Sequence, residues 1–317
     1  MTTWIIPYVD QPLSFWEEIA DKFGPYIKEV YFPVPDGTTA SGRGRQPEEL
    51  MDVFLRNAPL PKSVLVNPIV LPRPVEEIGP QILDVLKQLH GDFGVSRVTV
   101  TNLALARLVK ETLPEFKITA SVLVDIATPL QVLMAQDCVD AIAPSNRLVR
   151  DLRGLKRLRL AFPGEIRLLV NEACLPGCPY RTQHFYEMGY GQFLPKSLCQ
   201  QMLDERPWLR LTGAWILPQH LVHYEGLYDS LKLAGRVTLR ERIKYLTVLE
   251  AYVQRRPLLP GDIGGGPASV LEVIGISDEW FEHVLYCAKN CHTCLICQDY
   301  YKKSKLLNTE ENNVNRT

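Results

Sequence analysis

Six of the eight cysteines of the 317-residue chain lie in two close groups. Cys174 and Cys178 are separated by three residues in the segment NEACLPGCPYRTQHF. A quartet near the end of the chain has the spacing C-x3-C-x2-C-x2-C and consists of Cys287, Cys291, Cys294 and Cys297. Thiolates this close can reach one metal centre, because a turn or a helix end points them to the same side. In a reducing compartment such groups indicate metal binding rather than disulfides.

The spacing favours a 4Fe-4S cluster, with zinc as the alternative, because runs of C-x2-C-x2-C are typical of clusters whereas structural zinc prefers two separated C-x2-C pairs. Six candidate ligands exceed the four that are needed. Either the quartet binds alone, or Cys174 and Cys178 combine with two of its members. We favour the second arrangement, because an exposed and unligated thiol pair is prone to oxidation. Cys138 and Cys199 are expected to be packing residues.

The cysteines of the quartet also contain the C-x3-C-x2-C pattern of radical S-adenosylmethionine enzymes. Those enzymes carry the pattern after the first barrel strand, whereas here it follows the last apolar run of the chain. The position therefore speaks against that interpretation.

Short apolar runs alternate with stretches of helical period along most of the chain. Nine runs read as strands: WIIPYV, EVYFPVP, SVLVNPIV, RVTVTN, KITASVLVD, VDAIAPS, EIRLLVNE, RLTGAWILP and YDSLKLAGR. Helices are expected over residues 14–22, 47–57, 75–89 and 237–255, with capping boxes Ser14/Glu17 and Thr238/Glu241, and a last helix begins near Ser277. Continuous apolar strands that alternate with helices predict a parallel sheet buried on both faces.

Polar residues recur where these strands should end, namely Asn67, Asn102, Asp125, Ser145, Asn171 and Glu172. In a closed barrel the carboxyl ends of the strands meet at one mouth, where active sites lie. Helix capping is the alternative for each single residue. The fold class predicted is α/β, TIM-barrel-like (β/α)8, with a C-terminal helical cysteine-rich extension. An open doubly wound sheet is the alternative, although no GxGxxG turn follows the first strand.

The domain boundaries follow from composition. Residues 1–256 are expected to form the barrel, residues 257–302 a Pro/Gly-rich linker with the cysteine-rich segment, and residues 303–317 a disordered polar tail. The formal charge of -1 gives no general basic field for nucleic acid. The N-terminus lacks the pattern of a secretion signal and no apolar run is long enough to span a membrane, so we expect a soluble, cytoplasmic protein without membrane contact.

Several charged residues are candidates for substrate binding and catalysis at the predicted mouth. Arginine forks and lysine bind carboxylates and phosphates, which makes Arg43, Arg45, Arg181, Lys232 and Arg236 candidate substrate ligands. Arg43 and Arg45 can equally be solvated residues of a glycine-rich loop. Glu172 and Asp125 are candidate general acids or bases. His184 is a candidate proton donor, with surface packing as its alternative.

The segment Ser230-Leu-Lys-Leu-Ala-Gly-Arg236, with Ala251 and Tyr252 on the helix that follows, resembles a signature of the collagenase-like peptidase family, U32. Residues 99–149 are similar to that family in layout, with a strand ending in Asn, an RLVKE helix, an ITAS strand and a Pro-Ser-Asn-Arg turn. The resemblance covers residues 95–255 and gives added weight to Lys232 and Arg236.

This resemblance implies a TIM-barrel-like fold. Several members of the family look like 4Fe-4S proteins that hydroxylate ubiquinone precursors or RNA bases without oxygen, with prephenate as an oxygen donor. The resemblance thus implies an iron-sulfur hydroxylase acting on a small molecule or an RNA base, whereas the family name implies a peptidase. The sequence contains no Ser-His-Asp order and no HExxH motif. A non-catalytic iron-sulfur subunit that serves a protein partner is the third alternative.

Overall fold

The computed structural model describes residues 1–35, 48–172, 174–190, 198–236, 238–263 and 275–304. Eight parallel strands form a closed barrel in which each strand pairs with the next and the last pairs with the first. The strands are β1 (Thr3–Pro7), β2 (Ile27–Pro33), β3 (Lys62–Val66), β4 (Arg97–Val100), β5 (Lys117–Ala120), β6 (Ala141–Ile142), β7 (Glu165–Leu169) and β8 (Ser230–Lys232).

Helices connect the strands and surround the barrel. They are α1 (Leu13–Phe23), α2 (Met51–Asn57), α3 (Val75–Phe93), α4 (Leu103–Thr112), α5 (Pro129–Ala135), α6 (Leu152–Ala161), α7 (Arg181–Gly189), α8 (Leu198–Glu205), α9 (Arg242–Gln254) and α10 (Asp278–Val284). Residues 296–304 form a further helix, α11. The predicted TIM-barrel fold is therefore confirmed.

Most of the apolar core lies between the barrel and its helices. Outward-facing residues of the strands, such as Trp4 and Val30, pack there because successive side chains of a strand point to opposite faces. A separate small cluster of Ile5, Tyr31 and Leu65 fills the middle of the barrel. This cluster is the base of the mouth described below.

The amino end of the barrel holds a buried charge network. Glu29 on β2, which is 1% exposed, accepts hydrogen bonds from Arg97 (3.1 Å) and from Arg167 on β7 (2.7 Å). Arg167 also donates to Glu165, which forms an ion pair with Lys28. Burial raises the pKa of Glu29, but the charges of Arg167 and Arg97 outweigh this effect and hold that pKa below its usual value.

One of the nine predicted strands is wrong. The run over residues 210–218 contains the end of a 3₁₀ helix and an isolated bridge between Trp215 and Asn171, and it is not part of the barrel. Its apolar character has another cause, because Trp215 and Ile216 are fully buried against the outside of the barrel. The other eight runs overlap the eight strands, of which β1, β2 and β3 begin one or two residues before the predicted run.

Both predicted capping boxes are also wrong. Helix α1 starts at Leu13, with Pro12 at its N-cap position, so Ser14 already lies within the first turn. Helix α9 starts only at Arg242, because a turn in which Thr238 N donates to Gly235 O precedes it. Helix α2 covers residues 51–57 of the predicted segment 47–57, whose residue 47 lies outside the described residues, and α3 contains the predicted segment 75–89 and continues to Phe93. Helix α10 begins as predicted, and Ser277 caps it by accepting a hydrogen bond from Trp280 N.

The cysteine-rich extension is docked on the barrel. Leu152 N donates to Leu285 O, and the Trp280 ring stacks at 6.4 Å from that of Trp215. Residues 303 and 304, expected in the tail, belong to α11, and the rest of the predicted disordered tail lies outside the described residues. Within the described residues, no helix is both long and apolar enough to cross a lipid bilayer.

Candidate active site at the barrel mouth

A cavity of about 80 Å³ opens at the carboxyl ends of the strands. Its lining includes the side chains or backbone of Tyr31, Glu172, Phe185, Lys232, Gly235 and Arg236. This volume is well below the ~300 Å³ at which drug-sized ligand pockets begin. The cavity therefore suits the reacting end of a substrate rather than a whole large molecule.

Lys232 is the central cation of the mouth. It is the last residue of β8, its side chain is half-buried, and its Nζ lies 4.1 Å from the centre of the Tyr31 ring. Burial lowers the pKa of the Lys232 amine to about 8, although Glu29 below it acts in the opposite direction. An amine of this kind binds an anion in its protonated form and can release a proton near neutral pH.

Gly235 forms the turn that carries the chain away from Lys232. Its φ of +145° is unfavourable for other residues, and a Cβ there would lie 2.6 Å from the Leu239 side chain. The turn brings the following residue, Arg236, into the lining of the mouth. The Ser-Leu-Lys-x-x-Gly-Arg signature thus has a local physical reason, since the glycine allows both cations to face one cavity.

The predicted carboxylates Glu172 and Asp125 are joined by Arg181 on α7. The Arg181 guanidinium lies 3.6 Å from Glu172 Oε1 and 3.4 Å from Asp125 Oδ1, and it donates to Val122 O. Glu172 is only 3% exposed, and its Oε2 has no hydrogen-bond partner within the described residues. A buried carboxylate oxygen of this kind is available to a substrate or a proton.

Asp125 is held by the neighbouring strand-end residues. It adopts a left-handed conformation with φ +63°, and it accepts hydrogen bonds from Ser145 Oγ and Arg147. Asp125 therefore positions the loops after β5 and β6, and Ser145 in addition caps the 3₁₀ helix that follows.

Of the other strand-end residues, some face the mouth of the barrel and others cap a helix or tie two segments together. Asn67 lines the mouth. Asn102 is a helix cap, because its side chain accepts a hydrogen bond from Leu105 N. Asn171 is fully buried and ties β7 to the chain after β8 through hydrogen bonds to both backbone groups of Ala234. These residues meet at one end of the barrel, as predicted, but only some of them face the cavity.

The remaining candidates are not among the residues that the structure places in the cavity lining. His184 is on α7, where its ring lies 5.9 Å from that of Phe185, and it is Phe185 that contributes to the cavity lining. Arg43 and Arg45 lie outside the described residues. The geometry therefore brings Lys232, Arg236, Arg181, Glu172 and Asp125 together.

The cysteines form two sets. The Cys178 and Cys199 side chains are hydrogen-bonded to each other, and burial followed by the Cys178 contact raises the pKa of Cys199. In the quartet, burial raises the pKa of Cys297 to about 12, and the other three quartet thiols add to the effect. Cys138, in contrast, is buried in the core and donates to Ala135 O.

The loop after β6 connects the two cysteine-bearing segments with the mouth. Lys289 Nζ, inside the quartet segment, donates to Arg147 O at 2.9 Å. A Cβ built on Gly177, between Cys174 and Cys178, would lie 3.5 Å from Arg147 Cδ. Since Arg147 also binds Asp125, both cysteine-bearing segments contact a residue that is tied to the strand-end side of the barrel.

Cysteine thiols are the residues that could serve as metal ligands. Within the described residues no three Cys, His, Asp or Glu side chains already have metal-binding geometry. However, Cys291 and Cys294 are exposed on a turn that metal binding can rearrange. Arg150, a buried guanidinium with unpaired N–H groups, adjoins the quartet. The residues that would hold a cluster are four of the six predicted cysteines.

Sequence reasoning missed four contributors. Tyr31 and Phe185 are apolar residues that any barrel would contain, and nothing in their neighbours marks them as cavity lining. Arg150 belongs to the basic stretch RLVRDLRGLKRLR, which predicts a solvated helix face. Cys199 has neutral neighbours and comes near Cys178 only through the tertiary fold.

Comparison with known proteins supports this description. No family model matches the chain. It is 25% identical over 236 residues to the uncharacterized protease MJ1657 of Methanocaldococcus jannaschii, an alignment that covers 67% of each protein. The solved structure of the U32 peptidase Mk0906 superposes with a TM-score of 0.54 and 17% identity, over 74% of this chain and 93% of that one.

The fold and the mouth define a TIM-barrel protein with a cation-lined cavity at the carboxyl ends of its strands. The two comparisons support the resemblance to the U32 peptidase family inferred from the sequence: the chain is similar to MJ1657 in sequence and to Mk0906 in fold.

Proposed function

We propose that the chain is an iron-sulfur enzyme that modifies a small anionic molecule or an RNA base by an oxygen-independent redox reaction, with hydroxylation as the leading case. The observation that carries the proposal is the position of Arg147, which adjoins both cysteine-bearing segments and binds Asp125 at the mouth. A thiolate-bound cluster in this region would lie beside the cavity that holds the substrate.

The cations of the mouth would bind the substrate or an oxygen donor with carboxylate groups, such as a prephenate-like dicarboxylate. Lys232 lies deepest, and Arg236 stands at the turn above it. Arg181 orients Glu172 and Asp125 for proton transfer, and Phe185 supplies part of the apolar lining of the cavity. The cluster, when bound, would supply electron transfer.

A peptidase is the second candidate, and the name of the relative MJ1657 favours it. The described residues of the mouth offer carboxylates and cations. A carboxylate-activated water would have to be the nucleophile, and a cavity of about 80 Å³ gives little room for a peptide backbone.

Anaerobic purification followed by iron and sulfide analysis tests the proposal first. We expect about four iron and four sulfide per chain, with an EPR signal after reduction. Purified chain should then bind a prephenate-like dicarboxylate, and Lys232→Met should weaken that binding. Zinc in place of iron, or cleavage of a peptide library by metal-free protein, would refute the redox proposal. A stoichiometric protein partner without substrate binding by the isolated chain would instead indicate an electron-transfer subunit.

A further inference from the structure

Lys232 presents an amine without a polar partner to the mouth of the barrel. Its Nζ lies 4.1 Å from the centre of the Tyr31 ring, and among the described residues no hydrogen bond or ion pair reaches it. The Tyr31 ring is itself fixed, because its hydroxyl donates to Leu233 O at 2.9 Å. An amine in this position keeps its lone pair available whenever it is unprotonated.

Much of the wall around this amine is apolar. Ile5, Tyr31 and Leu65 form the base of the mouth, and Phe185 is also part of the lining. Apolar surroundings disfavour the ammonium form, so burial lowers the pKa of Lys232 to about 8. A lysine that is desolvated in this way is an activated nucleophile for carbonyl carbons.

Glu172 supplies a carboxylate to the same cavity. Strands β7 and β8 are parallel neighbours in which Leu169 pairs with Lys232, and Val170 N donates to Lys232 O at 3.0 Å. Glu172 follows just beyond this pair and lines the cavity together with Lys232. It is 3% exposed, and its Oε2 has no hydrogen-bond partner in the part of the chain that the structure describes. A cavity of about 80 Å³ thus holds a nucleophile and a carboxylate that can carry a proton.

Two guanidinium groups accompany this pair. Arg181 lies 3.6 Å from Glu172 Oε1, and its buried Nε has no hydrogen-bond partner among the described residues. Arg236 lines the cavity beyond the turn at Gly235. Guanidinium groups bind carboxylates. A small ligand whose carboxylate they hold would place an adjacent carbonyl group against Lys232.

We propose that Lys232 binds a 2-oxo acid covalently, as an imine between its Nζ and the carbonyl carbon, with Glu172 as the proton carrier. The ammonium group first gives a proton to Glu172. The neutral amine then attacks the carbonyl carbon, the C=O electron pair moves to the oxygen, and the oxygen takes a proton from the attacking nitrogen. Glu172 returns its proton to this hydroxyl, which leaves as water while the nitrogen lone pair forms the C=N bond. An ammonium and a ketone thus give an iminium and water, without oxidant or reductant.

Reductive trapping tests the imine on the unmodified full-length chain. The protein is incubated with pyruvate, a small 2-oxo acid, and with sodium cyanoborohydride, which converts an imine to a stable secondary amine. Peptide mass spectrometry then locates the adduct. We expect one saturable adduct per chain, on the peptide that contains Lys232. An adduct spread over surface lysines, or no adduct, would overturn the inference.

Two lysine variants separate the covalent role from charge and burial. Lys232→Arg keeps a positive charge at the mouth and should abolish the adduct. Lys62→Met is the matched control, because Lys62 is also half-buried, lies 5.6 Å from the Phe54 ring and has a pKa that burial lowers. It begins β3 at the other end of the barrel, however, and its amine donates to Ala58 O. The control should trap pyruvate as the wild type does, and equal losses in both variants would overturn the inference.

The proton carrier and the substrate class have their own tests. With the reductant in excess, Glu172→Gln should slow trapping by roughly 100-fold or more, because the leaving hydroxyl loses its proton source, while the final amount of adduct stays the same. Acetone, a ketone without the carboxylate, should require a roughly 10- to 100-fold higher concentration than pyruvate. Equal rates in Glu172→Gln and the wild type would refute the role of Glu172, and equal trapping of acetone and pyruvate would refute the substrate class.

The inference rests on the proposed function only for the place of the substrate, and it deepens that function by naming a substrate class and a covalent binding mode. Trapping requires no iron, so the two can fail separately. A Lys232 adduct in a chain that holds no iron would support this inference and refute the redox proposal. An iron-sulfur chain that forms no adduct would refute this inference alone.

Discussion

Replacing Lys232 by methionine should stabilise the barrel while it removes the central cation of the mouth. At pH 7 the Lys232 amine is protonated in both the folded and the unfolded chain. In the folded chain, however, it lies in a cavity that lowers its pKa from 10.5 to about 8. The protonated lysine therefore opposes folding, and methionine preserves its apolar stem without the charge.

The magnitude follows from proton linkage. Each pKa unit corresponds to ~1.4 kcal/mol, and the partial exposure of the side chain reduces the total, so we expect Lys232→Met to gain about 2 to 3 kcal/mol at pH 7. Because the pKa is lower in the folded chain, the penalty is complete below pH 8 and declines as the pH rises from there towards 10.5. The advantage of the variant should shrink over the same interval.

Urea unfolding of both proteins between pH 6 and pH 10 measures this difference. Lys87→Met on α3 is the matched control, because its side chain is 54% exposed, and we expect a change within ~0.5 kcal/mol that does not depend on pH. Our reasoning would be refuted if Lys232→Met were less stable than the wild type at pH 7, or if its advantage were the same at pH 6 and pH 10.

Two further predictions concern the charge network and the turn. Glu29→Gln should destabilise the chain by about 3 to 5 kcal/mol, because it removes the buried carboxylate that pairs with both Arg97 and Arg167 and leaves Arg167 with Glu165 alone. The corresponding change at the more exposed Glu18, which also pairs with two cations, should cost ~1 kcal/mol or less in the same urea assay; equal losses would contradict the role of burial. Gly235→Ala should cost about 2 to 4 kcal/mol and weaken anion binding at the mouth, since its φ and the Leu239 contact both disfavour a Cβ. Gly226→Ala, where φ is also positive but nothing lies within 4 Å, should cost ~1 kcal/mol and leave binding unchanged, as differential scanning calorimetry and titration calorimetry can show.

The barrel could be predicted because its strands are buried on both faces. A parallel strand between two apolar layers must be a continuous apolar run, and the runs around Val64 and Phe32 are of this kind. The same apolar pattern led to a wrong strand prediction at residues 210–218, where Trp215 and Ile216 are buried but do not belong to a strand. An apolar run indicates that a segment is buried, and a loop packed against the barrel can produce the same pattern as a strand.

The candidate site could be predicted only in part. Lys232 ends β8, and Asp125 and Glu172 lie within a few residues of the ends of β5 and β7, which must converge once the barrel closes. Whether such a residue faces the cavity or caps a helix depends on the following loop, which is why Asn102 became a cap. Arg150 could not be found in this way, because its burial depends on α10 arriving from more than a hundred residues further along the chain.

The pairing of β1 with β8 has a consequence for folding during synthesis on the ribosome. Thr3 pairs with Ser230, so about 230 residues must be synthesised before the barrel can close. At ~5 to 20 residues per second this takes roughly 10 to 50 s. During that interval the free edge of β1 is open to other strands. Helix α9, which seals β1 through the hydrogen bond from Tyr245 to Pro7 O, emerges later still. The first strand of the barrel in chain order is thus among the last to be secured, and a chain that ends before Ser230 cannot close this barrel.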